Sequence, residues 1–250
     1  MSGHNKWSTI KRKKGAADAK RSKLFSKMVK EISIAVKEGG SSDETTNPRL
    51  RVALLNAKGA NMPKATIEKA ISKAEAGTES WEEVTFEGYG PDGVAIFVEC
   101  LTNNNNRTVS NIRAVFNKHN GSLGTNGSLA FIFDRKGVFT IPEDQIADME
   151  ETELELIDGG AEEIEKEEDK YIVTCGFEDF GSMQKKLEEL KIIPENSELV
   201  RIPNNMKSVT LHTAEKILKM IDTFEDDEDV QNVFHNMEMT DEIMTALEEK

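Results

Sequence analysis

The hydrophobic pattern of the first third of the chain is that of helices. From Asp18 onward, apolar residues recur every three or four positions until a pair of glycines, which predicts one amphipathic helix. A second helix is predicted to open with Asn47 as its cap and Pro48 in its first turn, and a third opens in the same way at Pro63. The segment before Asp18 has no such period. Residues 1–77 are therefore predicted to form an extended arm and a three-helix domain.

After residue 77 the pattern changes to strands that alternate with helices. Strands are predicted at VTFEGY, VAIFVECL and LAFIF, with a helix before the last of them. Residues 136–203 follow the order β-α-β-β-α-β, which predicts a ferredoxin-like domain. A strand at SVTLH, a helix and a last strand then return the chain to the second domain.

These elements predict an α+β fold with three domains. The N-terminal three-helix domain with its basic arm is followed by two α+β domains, one of them ferredoxin-like. The predicted bounds are 1–77 for the arm and helical domain, 78–135 plus 204–250 for a discontinuous α+β domain, and 136–203 for an inserted acidic ferredoxin-like domain.

Charge is distributed very unevenly along the chain. The net charge is -14, yet residues 1–75 hold 17 Lys and Arg against 7 Asp and Glu. Residues 76–250 hold the remaining 15 basic and 39 acidic residues, so a phosphate polymer would be attracted by one end and repelled by the rest. Residues 143–169 alone carry 14 acidic residues and one lysine. We interpret them as a solvated face, or alternatively as a repulsive surface that orients the protein on its target.

The basic arm is the strongest candidate binding site. Cations on an extended arm displace counterions from a phosphate backbone, and Trp7 can stack on an unpaired base with about 1–3 kcal/mol. Two alternatives stay open. The lysines can form a solvated tail that the acidic body neutralises, and the indole can anchor the arm to the helical domain.

A second candidate contact is the segment TNNNNRTVSN, where a strand is expected to pass into a helix. Free backbone amides beside Arg107 would suit an anion there, while helix capping by Asn103 or Asn104 is the alternative. The glycine-rich residues 121–128 are interpreted as a connecting loop, with approach to RNA as the alternative. The predicted nucleic-acid-binding residues are Lys6, Trp7, Lys11, Arg12, Lys13, Lys14, Lys20, Arg21, Lys23 and Arg107.

The sequence lacks the motifs of the common enzyme and metal-site classes. Gly88, Gly90 and Gly93 spell the dinucleotide fingerprint, but a proline and a strand follow where that fingerprint needs a helix, so a hairpin turn is predicted. Cys100 and Cys175 lie in apolar runs and are expected to be buried, reduced thiols. We therefore expect a protein that is not an enzyme and uses no cofactor, metal or small-molecule substrate.

The apolar runs are too short for a membrane protein. None approaches the roughly 18 residues that a membrane span requires, and the N-terminus lacks the apolar segment of a signal peptide. A cytoplasmic protein without a membrane partner is expected.

Four blocks of the sequence carry a resemblance to a known family. They are MSGHNKWSTIKRKKGAADAKRSKLFSK, NPRLRVALLNAKGANMPKATIEKAI, FEGYGPDGVAIFVECLTNNNNRT and GSLGTNGSLAFIFDRKG. In order and spacing they resemble the YebC/PmpR family of bacterial regulatory proteins. The resemblance implies a helical N-terminal domain and two α+β domains. The sequence departs from the family at Asn103 and Asn105, where an acidic and a basic residue are more usual.

The resemblance leaves two functions open. One is a DNA-binding transcriptional regulator, although phosphate contacts do not read sequence and no recognition helix on a dimer's half-site spacing is evident. The other, implied by related proteins that include mitochondrial ones, is a translation factor that acts at the ribosome on stalled or particular messages. Its arm would bind ribosomal or transfer RNA, which suits glycine and tryptophan interleaved with lysine.

Overall fold

The computed structural model describes residues 18–77 and 80–248, without the side chains of residues 18–20, 247 and 248. The helices and strands follow in the order α1 (Asp18–Gly39), α2 (Pro48–Gly59), α3 (Lys64–Glu75), β1 (Glu82–Tyr89), β2 (Ala95–Thr102), α4 (Asn105–Lys118), β3 (Ser122–Leu123), β4 (Phe133–Pro142), α5 (Met149–Asp158), β5 (Ala161–Glu167), β6 (Lys170–Gly176), α6 (Phe180–Glu189), β7 (Asn196–Pro203), α7 (Leu211–Glu225), β8 (Val230–His235) and α8 (Asp241–Glu248). Single 3-10 turns occupy Pro91–Gly93 and Glu143–Gln145. The α+β class predicted from the sequence is confirmed. None of the helices in this described part is long and apolar enough to cross a membrane.

The first three helices begin and end where the local signals predict. The Asn47 side chain accepts a hydrogen bond from the Leu50 amide at 3.0 Å and so caps α2, with Pro48 as its first residue. Its amide group also donates to the Ala35 carbonyl at 2.8 Å, which joins the end of α1 to the start of α2. Gly40, at φ +63°, takes the left-handed conformation that ends α1.

One sheet has the strand order β3-β1-β2-β8. Strand β2 lies between two antiparallel neighbours and is buried along nearly its whole length, which explains its continuous apolar run. Helices α4 and α7 cover this sheet with their apolar faces. Phe116 of α4 and Phe224 of α7 meet edge to face at 5.0 Å between ring centroids, so these two helices share one core.

The second sheet has the order β5-β6-β4-β7. With the connections β4-α5-β5-β6-α6-β7, this is the ferredoxin-like topology that the sequence predicts, and the prediction is confirmed. Its core includes Phe139, Leu156, Val173 and Met183, all with no exposed surface.

The chain divides into two compact units. Unit 1 comprises the described residues within Met1–Lys30, Gly77–Asp134 and Ile202–Lys250, and unit 2 comprises Glu31–Ala76 and Arg135–Arg201. The division falls within α1. The domain bounds drawn from the sequence stay a prediction.

Two strands predicted from the sequence are wrong. In LAFIF, only Phe133 lies in a strand, because residues 126–132 form turns that the buried Glu87 carboxylate holds through the amides of Gly127 and Leu129. In SVTLH, the Thr210 side chain accepts from the Thr213 amide at 3.3 Å and caps α7, so the last residues of this segment start a helix.

Gly88 in β1 is a position where a side chain does not fit. A Cβ there would lie 2.5 Å from the Ser122 carbonyl oxygen and 2.6 Å from the Phe116 ring. We expect Gly88→Ala to lower the free energy of unfolding by about 1–3 kcal/mol, because backbone and a buried ring must shift. Gly181→Ala is the control, since a Cβ at that helical position meets nothing within 4 Å. Urea titration checks both, and equal stability of the two variants would contradict the packing.

Candidate nucleic-acid interface

The structure describes only part of the site predicted from the sequence. Six of the predicted residues lie outside the described residues: Lys6, Trp7, Lys11, Arg12, Lys13 and Lys14. Lys20 lies in α1, but its side chain is not described. Arg21, Lys23 and Arg107 are described, and all three belong to unit 1.

Basic side chains in the N-terminal part of α1 contact one acidic loop, residues 226–229, and the start of β8. Lys23, Lys27 and Lys30 recur at spacings of four and three, which places them on the same side of the helix. Lys23 forms an exposed ion pair with Asp226 at 2.5 Å, and Lys27 donates to the backbone carbonyl of Gln231 in β8 at 3.1 Å. The acidic loop and the start of β8 therefore fix the N-terminal part of α1 on unit 1.

Asp229 is the buried centre of this contact, with only 3% of its surface exposed. Its carboxylate accepts from Lys30 Nζ at 3.2 Å and from Arg107 Nη2 and Nε at 2.6 and 3.1 Å. The hydroxyls of Thr108 and Thr102 donate to it at 2.9 and 3.2 Å. Burial by itself would raise the pKa of Asp229, but hydrogen bonds from Arg107 and Thr108 hold this pKa below its ordinary value of 3.8.

Arg107 lies in the first turn of α4. Its backbone amide donates to the Asn104 side chain at 3.1 Å, so the segment caps a helix as the alternative interpretation expected. Its guanidinium, 46% exposed, pairs with Asp229 and also donates to Asn103 Oδ1 at 3.1 Å. The structure thus shows Arg107 in an ion pair, and its contact with a nucleic-acid phosphate stays a prediction.

The loop contact was not evident from the sequence. Lys30 is 8% exposed, donates to the Glu228 carbonyl at 2.5 Å and lies 4.6 Å from the centre of the Trp81 ring. The only local signal of its partner was the acidic run EDDED at 225–229. Nothing in that run distinguishes Asp229, which is buried, from Asp226, which is exposed.

The remaining sequence motifs have structural explanations. In GYGPDG, the residues after Tyr89 form the turn between β1 and β2, as predicted, and Asp92 and Gly93 there have positive φ. Cys100 and Cys175 are buried free thiols, and burial raises the pKa of Cys175 to about 11. Among the described residues, there is no group of three or more His, Cys, Asp or Glu that could hold a metal ion.

Two family models together match nearly the whole chain. The model of the TACO1/YebC protein N-terminal domain matches residues 5–77, and the model of the TACO1/YebC second and third domain matches residues 81–237. A probable transcriptional regulatory protein of Amoebophilus asiaticus is 50% identical over 240 residues, which are 95% of this chain and 98% of that protein. One of Geotalea uraniireducens is 46% identical over 249 residues, which are 99% of this chain and all of that protein.

A solved structure shares the fold. The crystal structure of a conserved hypothetical protein from Aquifex aeolicus is similar to this chain with a TM-score of 0.80 and 38% sequence identity. The match covers 90% of this chain and 93% of that one.

Proposed function

This chain belongs to the TACO1/YebC family, and we propose from that premise that it regulates transcription by binding DNA through its basic N-terminal segment, residues 1–30. Relatives that match 95% or more of the chain are named probable transcriptional regulatory proteins. The name of these relatives describes a regulatory protein and not an enzyme. Regulation of transcription requires contact with DNA or with the proteins on it, and the charge of this segment favours DNA.

The observation that carries the proposal is the charge of the basic N-terminal segment. It holds ten Lys and Arg residues and one acidic residue, Asp18, in a chain whose net charge is -14. Each cation that neutralises a phosphate releases condensed counterions, which is the main source of sequence-independent binding to nucleic acid. The acidic remainder supplies repulsion, so the segment is the part of the chain that attracts a polyanion.

Contacts within unit 1 hold the described end of this segment in place. Lys23 and Lys30 hold α1 on the acidic loop of unit 1, and Lys27 holds it on the start of β8. The described part of this segment, from Arg21 to Lys30, is therefore held in place within unit 1. The same contacts neutralise part of the acidic loop, which lowers its repulsion of DNA.

A second candidate function is binding to ribosomal or transfer RNA as a translation factor at the ribosome. Trp7 and two glycines are interleaved with the lysines of the basic N-terminal segment. An aromatic ring can stack on unpaired bases, which are abundant in folded RNA and scarce in duplex DNA.

Polysome sedimentation and genome-wide DNA crosslinking from the same cells distinguish the two functions. The proposal predicts crosslinks at defined chromosomal regions and a protein that sediments independently of ribosomes. Co-sedimentation with ribosomes that survives DNase and collapses with RNase would instead establish the translation factor.

A further inference from the structure

Helix α4 lies in a stretch of unusual composition for this chain. Of the 250 residues, 46 are acidic, yet residues 100–133 contain no Asp or Glu. The same stretch contains Arg107, Arg113 and Lys118, all three of them in α4. This helix therefore presents no carboxylate of its own to repel a polyanion.

The exposed side of α4 carries a narrow row of polar residues. Thr108, Ile112 and Phe116 are buried against the core of unit 1. On the other side, Asn106, Ser110, Arg113 and Asn117 recur at spacings of four, three and four, which aligns them along the helix. We name these four exposed residues the polar row. Ala114, small and exposed, lies beside it and lets another surface approach closely.

The other flank of α4 is fixed to the acidic loop. Arg107 pairs with Asp229, and Asn111 donates to Asp227 at 2.8 Å. In contrast, neither Arg113 nor Asn117 has a side-chain hydrogen bond or ion pair within residues 18–77 and 80–248. The helix is thus held on one flank while the polar row faces solvent.

The acidic loop contacts this helix through Asp227 and Asp229, and part of the loop's charge is compensated. Asp226 pairs with Lys23, and Asp229 receives both Lys30 and Arg107. A polyanion that approaches the polar row therefore meets a loop whose charge is reduced.

We propose that α4 is the base-reading helix of this protein and that its polar row enters the major groove of duplex DNA. This inference rests on the proposed function and supplies the sequence specificity that phosphate contacts lack. Arginine bonds in bidentate fashion to guanine and asparagine to adenine, and the major groove, about 12 Å wide, admits one helix. The 14 residues of α4 span about 21 Å. Duplex RNA is excluded as the occupant because side chains cannot read its deep, narrow major groove.

Selection from a pool of randomised DNA duplexes tests the inference with four full-length proteins. Wild type is expected to enrich a short motif. Arg113→Ala and Arg113→Lys should each lose about 5- to 150-fold discrimination at one base pair, because a lysine keeps the charge but not the bidentate geometry. Lys118→Ala, which removes a charge from the opposite flank of α4, should keep the motif.

Other results of this selection would contradict the proposal for α4 or the proposed function. If all four proteins enriched the same motif, or if wild type bound duplexes without any base preference, α4 would not be the helix that recognises base sequence. Wild-type binding to a structured RNA but not to duplex DNA would also overturn it, while leaving nucleic-acid binding intact. Absence of binding to both would instead refute the proposed function.

Discussion

Asp229→Ala is expected to lower the free energy of unfolding by about 3–5 kcal/mol, because it leaves Lys30 nearly buried without its carboxylate partner. Lys30 is 8% exposed, and Arg107 and the hydroxyls of Thr102 and Thr108 lose the same acceptor. Urea titration followed by circular dichroism measures the change.

Asp226→Ala is the matched control for this prediction. It removes another carboxylate of the same loop, but its ion pair with Lys23 is exposed, so a loss of about 0–1 kcal/mol is expected. Because the pKa of Asp229 is lowered in the folded state, its stabilisation is complete above its ordinary pKa of 3.8 and is lost as the pH falls through the folded-state value. The difference between wild type and Asp229→Ala should therefore shrink in acid. Equal stability of the two alanine variants at neutral pH would contradict the central position of Asp229.

Replacing Lys11, Arg12, Lys13 and Lys14 together by alanine is expected to weaken binding to duplexes of any sequence. Each phosphate contact contributes about 0.9 to the slope of log affinity against log salt, so the slope should fall by about 3–4 if all four side chains contact phosphate. Fluorescence anisotropy with a labelled duplex at a series of salt concentrations gives this slope.

A charge-matched variant separates this effect from the net charge of the protein. Lys185, Lys191, Lys207 and Lys216 are exposed lysines far from the basic N-terminal segment in sequence. Their joint replacement by alanine makes the same change in net charge and should leave the slope near that of wild type. If both quadruple variants changed the slope equally, contact through the basic N-terminal segment would be refuted.

The parts of the fold that sequence predicts well are those with local causes. The cap at Asn47 and the proline at Pro63 act on amides within one turn, so the starts of α2 and α3 are evident from a few residues. The ferredoxin-like order follows from the alternation of helix and strand patterns in residues 136–203, which short connections restrict to few topologies.

The two wrong strands had causes that are distant in the sequence. LAFIF has the composition of a strand, but the carboxylate of Glu87, 42 residues away from Leu129, takes the amides that a strand would pair. SVTLH has the same composition, and a single threonine, Thr210, converts its end to a helix start. Composition thus predicted strands where specific hydrogen bonds determine turns and a cap.

In the candidate site, too, the contacts that sequence did not predict join residues distant in the chain. Arg107 was predicted from its position at a strand-to-helix junction, and that junction exists. Its partner Asp229 lies 122 residues further along the chain, and Lys30 lies 199 residues before it. Periodicity identifies the exposed side of α4, but only the tertiary structure shows that one flank is fixed by the acidic loop while the polar row faces solvent.

Deletion of residues 1–17 shows whether the basic N-terminal segment binds nucleic acid. The shortened chain should still unfold cooperatively in urea, because it keeps all the described helices and strands, which lie from Asp18 onward. Its affinity for both a random-sequence duplex and a structured RNA should fall by about a factor of ten or more at near-physiological salt. If the shortened protein folded and bound both nucleic acids as tightly as wild type, the main phosphate-binding residues would lie outside residues 1–17.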